Sequence, residues 1–181
     1  EALKSGSAVL TSLNLFDNEI GNDGAIALAD ALKSGKSVLK ELNLAENALC
    51  GIDRRGRGTY NPSGIQALAA ALSSGSAVLT SLNLKNNNIR NEGAIAIAEA
   101  LKSGSSVLKT LSLADNQLCG LNSFGLGTYD PSGIQAIAAA LSGGSSVLAT
   151  IDLRDNFLGD DETRTLTNAN KRRTTPLDLN I

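Results

Sequence analysis

The chain has 181 residues, 42% of them apolar and only 3% aromatic, with no Trp and a net charge of −2. That length sets a prior of one domain, and its core must be built from Leu, Ile, Val and Ala. The near-neutral balance excludes a general nucleic-acid or anionic-membrane binder, and no apolar run approaches the roughly 20 residues that cross a bilayer.

The chain opens on Glu1-Ala2-Leu3-Lys4-Ser5-Gly6, which lacks the order of a signal peptide. It reads as the tail of a repeat already under way, so the expected N-terminus lies upstream. Residues 5–15, Ser-Gly-Ser-Ala-Val-Leu-Thr-Ser-Leu-Asn-Leu, recur unchanged at 74–84, an internal repeat of 69 residues. Within each such unit are two shorter repeats. Their leading leucines are Leu10, Leu39, Leu79, Leu108 and Leu148, spaced 29, 40, 29 and 40.

Each of these leucines opens the pattern L-x-x-L-x-L-x-x-N-x-L. The first copy is Leu10/Leu13/Leu15/Asn18/Ile20 and the fifth is Leu148/Ile151/Leu153/Asn156/Leu158. One residue separates the two central apolar positions, and that alternation predicts a short half-buried strand. Where the chain must then turn stands the Asn, whose amide can bond the backbone of the neighbouring coil and so build a ladder. Next comes a helix: 24–32 puts Leu28 and Leu32 four apart on one face, as do Leu68/Leu72, Ile97/Leu101 and Ile137/Leu141. Alanines fill the rest, favouring helix and close approach to the strands. Lys33-Ser34-Gly35 and its equivalents end each helix with Gly past the last turn. No such coil buries its apolar face alone, so the coils must stack.

The second and fourth coils are 11 residues longer, and their segments 50–64 and 119–133 share the frame C-G-Φ-x-x-x-G-x-G-T-Y-[ND]-P-S-G, with Φ apolar. Asn61 or Asp130 is an N-cap and Pro62 or Pro131 the first helical residue. Inside the frame, Arg54, Arg55 and Arg57 of the first loop become Ser123, Phe124 and Leu126 in the second, and the chain's two tyrosines, Tyr60 and Tyr129, both lie here. Two readings stay open. In one, the loops stack on one rim as a partner-binding patch of Arg54, Arg55, Arg57, Tyr60, Phe124, Leu126 and Tyr129. In the other, each tyrosine packs back on its own coil as a staple. Cys50 and Cys119 lie two coils apart, about 10 Å, beyond disulfide reach of about 7 Å. Buried free thiols are expected. With the sequon Asn61-Pro62-Ser63 blocked by its proline, they point to an intracellular or organellar protein, with the cytoplasm favoured.

The last coil changes character. Asp160-Asp161-Glu162 opens a helix that carries Arg164, Thr165, Thr167 and Asn168 instead of alanines, and Pro176-Leu177-Asp178-Leu179-Asn180 reads as a final edge strand. A polar terminal coil lets a solenoid stop without exposing its core, which predicts a cap over about 159–181. Lys171-Arg172-Arg173 beside it reads as solvated surface.

The five copies of LxxLxLxxNxL, each followed by an Ala/Leu helix, resemble leucine-rich repeats of the ribonuclease-inhibitor subtype, as in NOD-like receptor sensor regions and Ran GTPase-activating protein. That resemblance covers nearly the whole chain. It implies an α/β fold: a right-handed solenoid forming a horseshoe arc, with a parallel sheet on the concave face and helices outside, as one domain over 1–181 with about five full repeats. Two features depart from the subtype. The 40-residue repeats are too long, and the chain is too short for more than a shallow arc.

Function is then expected in exposed residues. Without His there is no Ser-His-Asp triad and no His-based metal site. Arg55-Gly56-Arg57-Gly58-Thr59 lacks the preceding strand of a phosphate loop. No catalytic residue, cofactor or metal ligand is expected. Three outward rows are expected on the concave face: Asn14, Asn43, Asn83, Ser112, Asp152; then Phe16, Ala45, Lys85, Ala114, Arg154; then Asp17, Glu46, Asn86, Asp115, Asp155. Phe16 is the large apolar residue of that surface. The acids Asp17, Glu46, Asp115 and Asp155 either steer a basic partner or keep a flat sheet soluble. The expected function is a non-enzymatic protein–protein recognition module or scaffold, its partner another protein, with no nucleic acid and no membrane insertion. The alternatives are a regulator of an enzyme, nuclease-inhibitor-like or GTPase-activating-like, and a structural subunit of a larger assembly.

Overall fold

A computed structural model describes residues 2–5, 9–53, 55–122 and 125–181. Its strands are three residues long: β1 (Ser12–Asn14), β2 (Glu41–Asn43), β3 (Ser81–Asn83), β4 (Thr110–Ser112), β5 (Thr150–Asp152) and β6 (Asp178–Asn180). All are parallel and lie in chain order in one open sheet. The register sets Leu13, Leu42, Leu82, Leu111, Ile151 and Leu179 side by side. The short α1 (Ala2–Ser5) precedes β1, and between the strands run α2 (Gly21–Lys33), α3 (Ser63–Ser73), α4 (Arg90–Lys102), α5 (Ser132–Ser142) and α6 (Asp160–Lys171), each helix against the next. This is a two-layer α/β solenoid.

The core lies between the layers. Leu39, Leu42, Leu44 and Leu49 of the second coil are fully or almost fully buried, as are their equivalents through Leu153. Each such leucine contributes about 1.5–3 kcal/mol on burial. The spine opens at both ends: in the first coil Leu10 is 41% exposed and Leu13 and Leu15 are half-buried, and in the last Leu158 and Leu179 are partly buried.

The asparagine ladder ends the strands and ties the coils together. Asn47 donates from Nδ2 to Leu15 O (2.7 Å) and Ala45 O (3.0 Å), while its Oδ1 accepts from the N–H groups of Asn18 and Ile20. Asn87, Asn116 and Asn156 repeat this one coil on, each almost wholly buried. Among the described residues no buried side-chain nitrogen or oxygen lacks a partner.

In the short repeats the helix starts three residues before the apolar pattern does, at Gly21 and Arg90. Their N–H groups bond the next coil's Asn47 and Asn116 carbonyls, turning the ladder directly into helix. Arg90 holds this junction at φ +57°, a left-handed conformation that Gly21 adopts without strain at +64°. The long repeats instead fold their insertion into a small antiparallel hairpin, bridged at Ile52–Gly58 and at Leu121–Gly127. A Cβ on Gly58 or Gly127 would lie 2.0 or 2.1 Å from the carbonyl oxygen of Gly51 or Gly120, so the close crossing requires glycine. Asn61 and Asp130 accept the N–H of Ser63 and Ser132 in the turn that leads into α3 and α5, where the prolines, expected as first helical residues, hold the N-cap position instead.

Candidate functional site

The third expected row does not lie on the strands. Asp17, Glu46, Asn86, Asp115 and Asp155 occupy the turn beyond each strand, with φ between 53° and 61°. Their backbone still pairs between coils: Asp17 N–H donates to Ala45 O and Asp115 N–H to Arg154 O, both at 3.0 Å. The acids thus stand at the carboxyl-end rim of the sheet. In the second row Ala45 and Ala114 are buried, each standing between two longer neighbours of the row. Phe16 is 48% exposed at the open end.

Asn86 divides the acids into two pairs. In the second, burial and then neighbouring Asp155 push the Asp115 carboxyl above the ordinary carboxylate range, against Lys85. Asp152 is held below that range, chiefly by Arg154, which donates to it from Nε and Nη2 at 2.8 Å.

The first pair faces the first insertion across a cavity of about 120 Å³. Its walls are Asp17, Glu19 and Glu46 on the coil side and Asp53, Arg55 and Arg57 on the hairpin, with Ala48 and Ile52 between them. The structure therefore brings together two groups that the sequence offered separately, the acid row and the loop arginines. Asp53 organises the hairpin: its Oδ1 accepts the N–H groups of Arg55 and Arg57 at 2.9 Å, and its Oδ2 takes the Arg57 guanidinium. These bonds, the Arg57 N–H first, hold the Asp53 carboxyl below its usual range. Arg57 is consequently paired within its own loop, whereas Arg55 is exposed at the mouth.

Each tyrosine points elsewhere. Tyr60 is half-buried and donates its hydroxyl to Ile89 O at 2.8 Å, while the Arg90 guanidinium lies 4.5 Å from its ring centroid. It clasps the following coil rather than its own. Tyr129 donates to Glu162 of α6 and is pushed up to about 12, first by that bond. Glu162 also accepts the Gly159 N–H, the one half of a capping box that a glycine N-cap allows. Leu126, 66% exposed, borders a separate recess of about 460 Å³ with Arg90, Asn122 and Asp130. Arg54 and Phe124 lie outside the described residues. Cys50 and Cys119 are free and buried, and burial pushes their thiols up to about 12 and about 11.

The sequence reading passed over Glu19, Asp53 and Arg90, and assigned Glu162 and Arg173 no contact with another coil. A signal existed for Glu19, two places after Asp17 at a second left-handed position, and for Arg90, which occupies the place of Gly21. Arg173, read as solvated surface, instead reaches back to the carbonyls of Leu141, Ser146 and Leu148. Burial holds its guanidinium below its usual range. Among the described residues no group of three or more His, Cys, Asp or Glu is placed to hold a metal ion, and no helix is long and apolar enough to cross a membrane.

The family described as "Leucine Rich repeat" matches residues 6–29 and 75–98, one segment from each 69-residue unit. These two segments match leucine-rich repeats, and the chain has the fold of a leucine-rich-repeat solenoid. No curated protein sequence matches it. Among solved structures, this leucine-rich-repeat fold is similar to leiomodin-1 actin-binding site 2, with a TM-score of 0.66 at 21% identity, covering 94% of this chain and 84% of that one. It is also similar to the leucine-rich-repeat-containing protein LegL7 from Legionella pneumophila, with a TM-score of 0.55 at 19% identity, covering 96% of this chain and 48% of that one.

Proposed function

We propose that this leucine-rich-repeat chain is a protein-recognition module of the ribonuclease-inhibitor-like subtype, with no reaction of its own, and that it engages its partner at the carboxyl-end rim of the sheet. The observation that carries the reading is the cavity where the first hairpin overhangs Asp17, Glu19 and Glu46. There a rigid scaffold presents unlike charges around a small apolar floor, and loops fixed on such scaffolds are where proteins place recognition. Leucine-rich-repeat domains are generally protein-interaction modules, and one of the similar structures is named for binding actin. Both support this reading. The 13-residue helices of the 29-residue repeats favour the subtype. Residues 1–181 act as one domain in this proposal, with the coil from about 159 onward as its cap.

Arg54, Arg55 and Arg57 supply the exchangeable contacts. Changing all three to Ala removes positive charge and one exposed ion pair, which contributes little to stability, so the melting temperature should stay within a few degrees. Immobilised wild-type and variant chains are compared for capture from an extract of the source cells, with retained proteins identified by mass. Proteins held by the wild type and lost from the variant are expected; an unchanged set refutes this rim as the site.

A further inference from the structure

The opposite rim, where helices end and strands begin, has a different chemistry. Val9, Val38, Val78, Val107 and Val147 each precede a leading leucine and are exposed by 89, 44, 43, 44 and 55%. The core does not need them, because the leucine that follows fills it. Two places on, Thr11, Lys40, Thr80, Lys109 and Ala149 differ from coil to coil, whereas valine stands in all five copies. The row is continuous: the N–H groups of Lys40, Thr80, Lys109 and Ala149 each donate at 2.8 Å to the carbonyl of the preceding member. The valines therefore form a parallel apolar ladder beside that row. It runs into a recess of about 360 Å³ walled by Val147, Leu148, Arg173 and Pro176.

Lysines flank the ladder. Lys33, Lys102 and Lys171 lie in the last turns of α2, α4 and α6, Lys36 is in the connection that follows α2, and Lys40 and Lys109 enter β2 and β4. The acids at this end of these elements are Glu41 in β2, Asp178 in β6, and Asp30 and Glu99 one turn before Lys33 and Lys102, so lysines outnumber acids along the rim. Asp17, Glu19, Glu46, Asp115 and Asp155 are all at the other rim.

We propose that this valine–lysine rim is a second docking surface, which takes an acidic amphipathic helix of a partner protein laid along the solenoid. Spacing selects the helix. Valines on adjacent coils follow the strand separation of about 4.8 Å. A helix with one apolar residue per turn repeats every 5.4 Å, a mismatch of about 0.6 Å per coil. An extended chain presents same-side residues about 6.7 Å apart and loses register within two coils. Charge selects acidic residues on the helix flanks, facing the lysines.

The probe is a synthetic peptide of about 16 residues, four to five turns, with Leu once per turn and Glu on the flanking positions, followed by fluorescence anisotropy. The expected result is saturable binding that weakens with added salt. It should weaken at least tenfold for the scrambled peptide and for the Val38→Ser, Val78→Ser, Val107→Ser chain, whose melting temperature should match the wild type. The Arg54, Arg55, Arg57 to Ala chain should bind the peptide normally, so failure here is separable from failure at the loop rim. No binding, or equal binding by the serine variant, overturns the proposal. So does capture of phosphatidylserine vesicles without capture of the peptide, which would make the rim a membrane contact.

Discussion

Asn87 shows what one side chain does in this molecule. Its amide bonds three carbonyls on two coils, and its oxygen accepts the N–H groups of Asn47 and Leu49. Changing it to Ala orphans two buried donors, each at about 1–3 kcal/mol, so Asn87→Ala should lower stability by about 3–5 kcal/mol in urea denaturation. A loss under 1 kcal/mol contradicts the ladder. The tyrosine and thiol protons add a pH dependence. Cys50, Cys119 and Tyr129 have folded values pushed up to about 12, about 11 and about 12, from 9.0, 9.0 and 10.0. The folded chain holds these protons more tightly than the unfolded one. Their contribution is therefore complete below about pH 9 and lost as pH rises from 9 towards 12. Thermal melts should fall across that window and be flat just beneath it. A thiol reagent at pH 8 should find no reactive group in the native chain and two after denaturation. The asparagines were legible because a polar residue recurs where an apolar strand must turn. Burial of Ala45 and Ala114 was not, since it depends on the size of the neighbours in adjacent coils.

At the level of elements, strands and helices were readable from two periods, and the register followed from the recurring leucines. What the pattern could not show was how an insertion folds. The hairpins at 52–58 and 121–127 depend on a crossing of two backbones at Gly58 and Gly127, and on Asp53 or Asn122 gathering loop N–H groups. Gly58→Ala should displace the hairpin, destroy its cavity with Asp17 and Glu46, and reduce capture at that rim as strongly as removal of the three arginines. Wild-type capture by Gly58→Ala refutes the overhang. The end of the molecule makes a second case. Three basic residues in a row look like solvated surface, yet Arg173 bonds three carbonyls of the coil before it, and Asn170 takes both the N–H and the carbonyl of Leu177. Arg173→Ala should cost about 2–3 kcal/mol and raise amide exchange in β6 and α6 before the rest.

The whole molecule follows from coils that cannot bury their own apolar face. Stacking gives a continuous spine and leaves side chains at the two rims free to diverge: acids and insertions at one, lysines and valines at the other. Fold was legible because it is repeated five times; the recognition surface was only partly so, because it arises where unlike parts of different coils meet. If the spine is shared, damage in one coil must be felt in its neighbours. Leu82→Ala, at the centre of the sheet, should lower stability by about 2–5 kcal/mol, and backbone amide exchange measures where that loss appears. The account predicts that β2 and β4 lose protection together with β3, by a similar free energy. Wild-type protection in β2 and β4 beside a weakened β3 would contradict it.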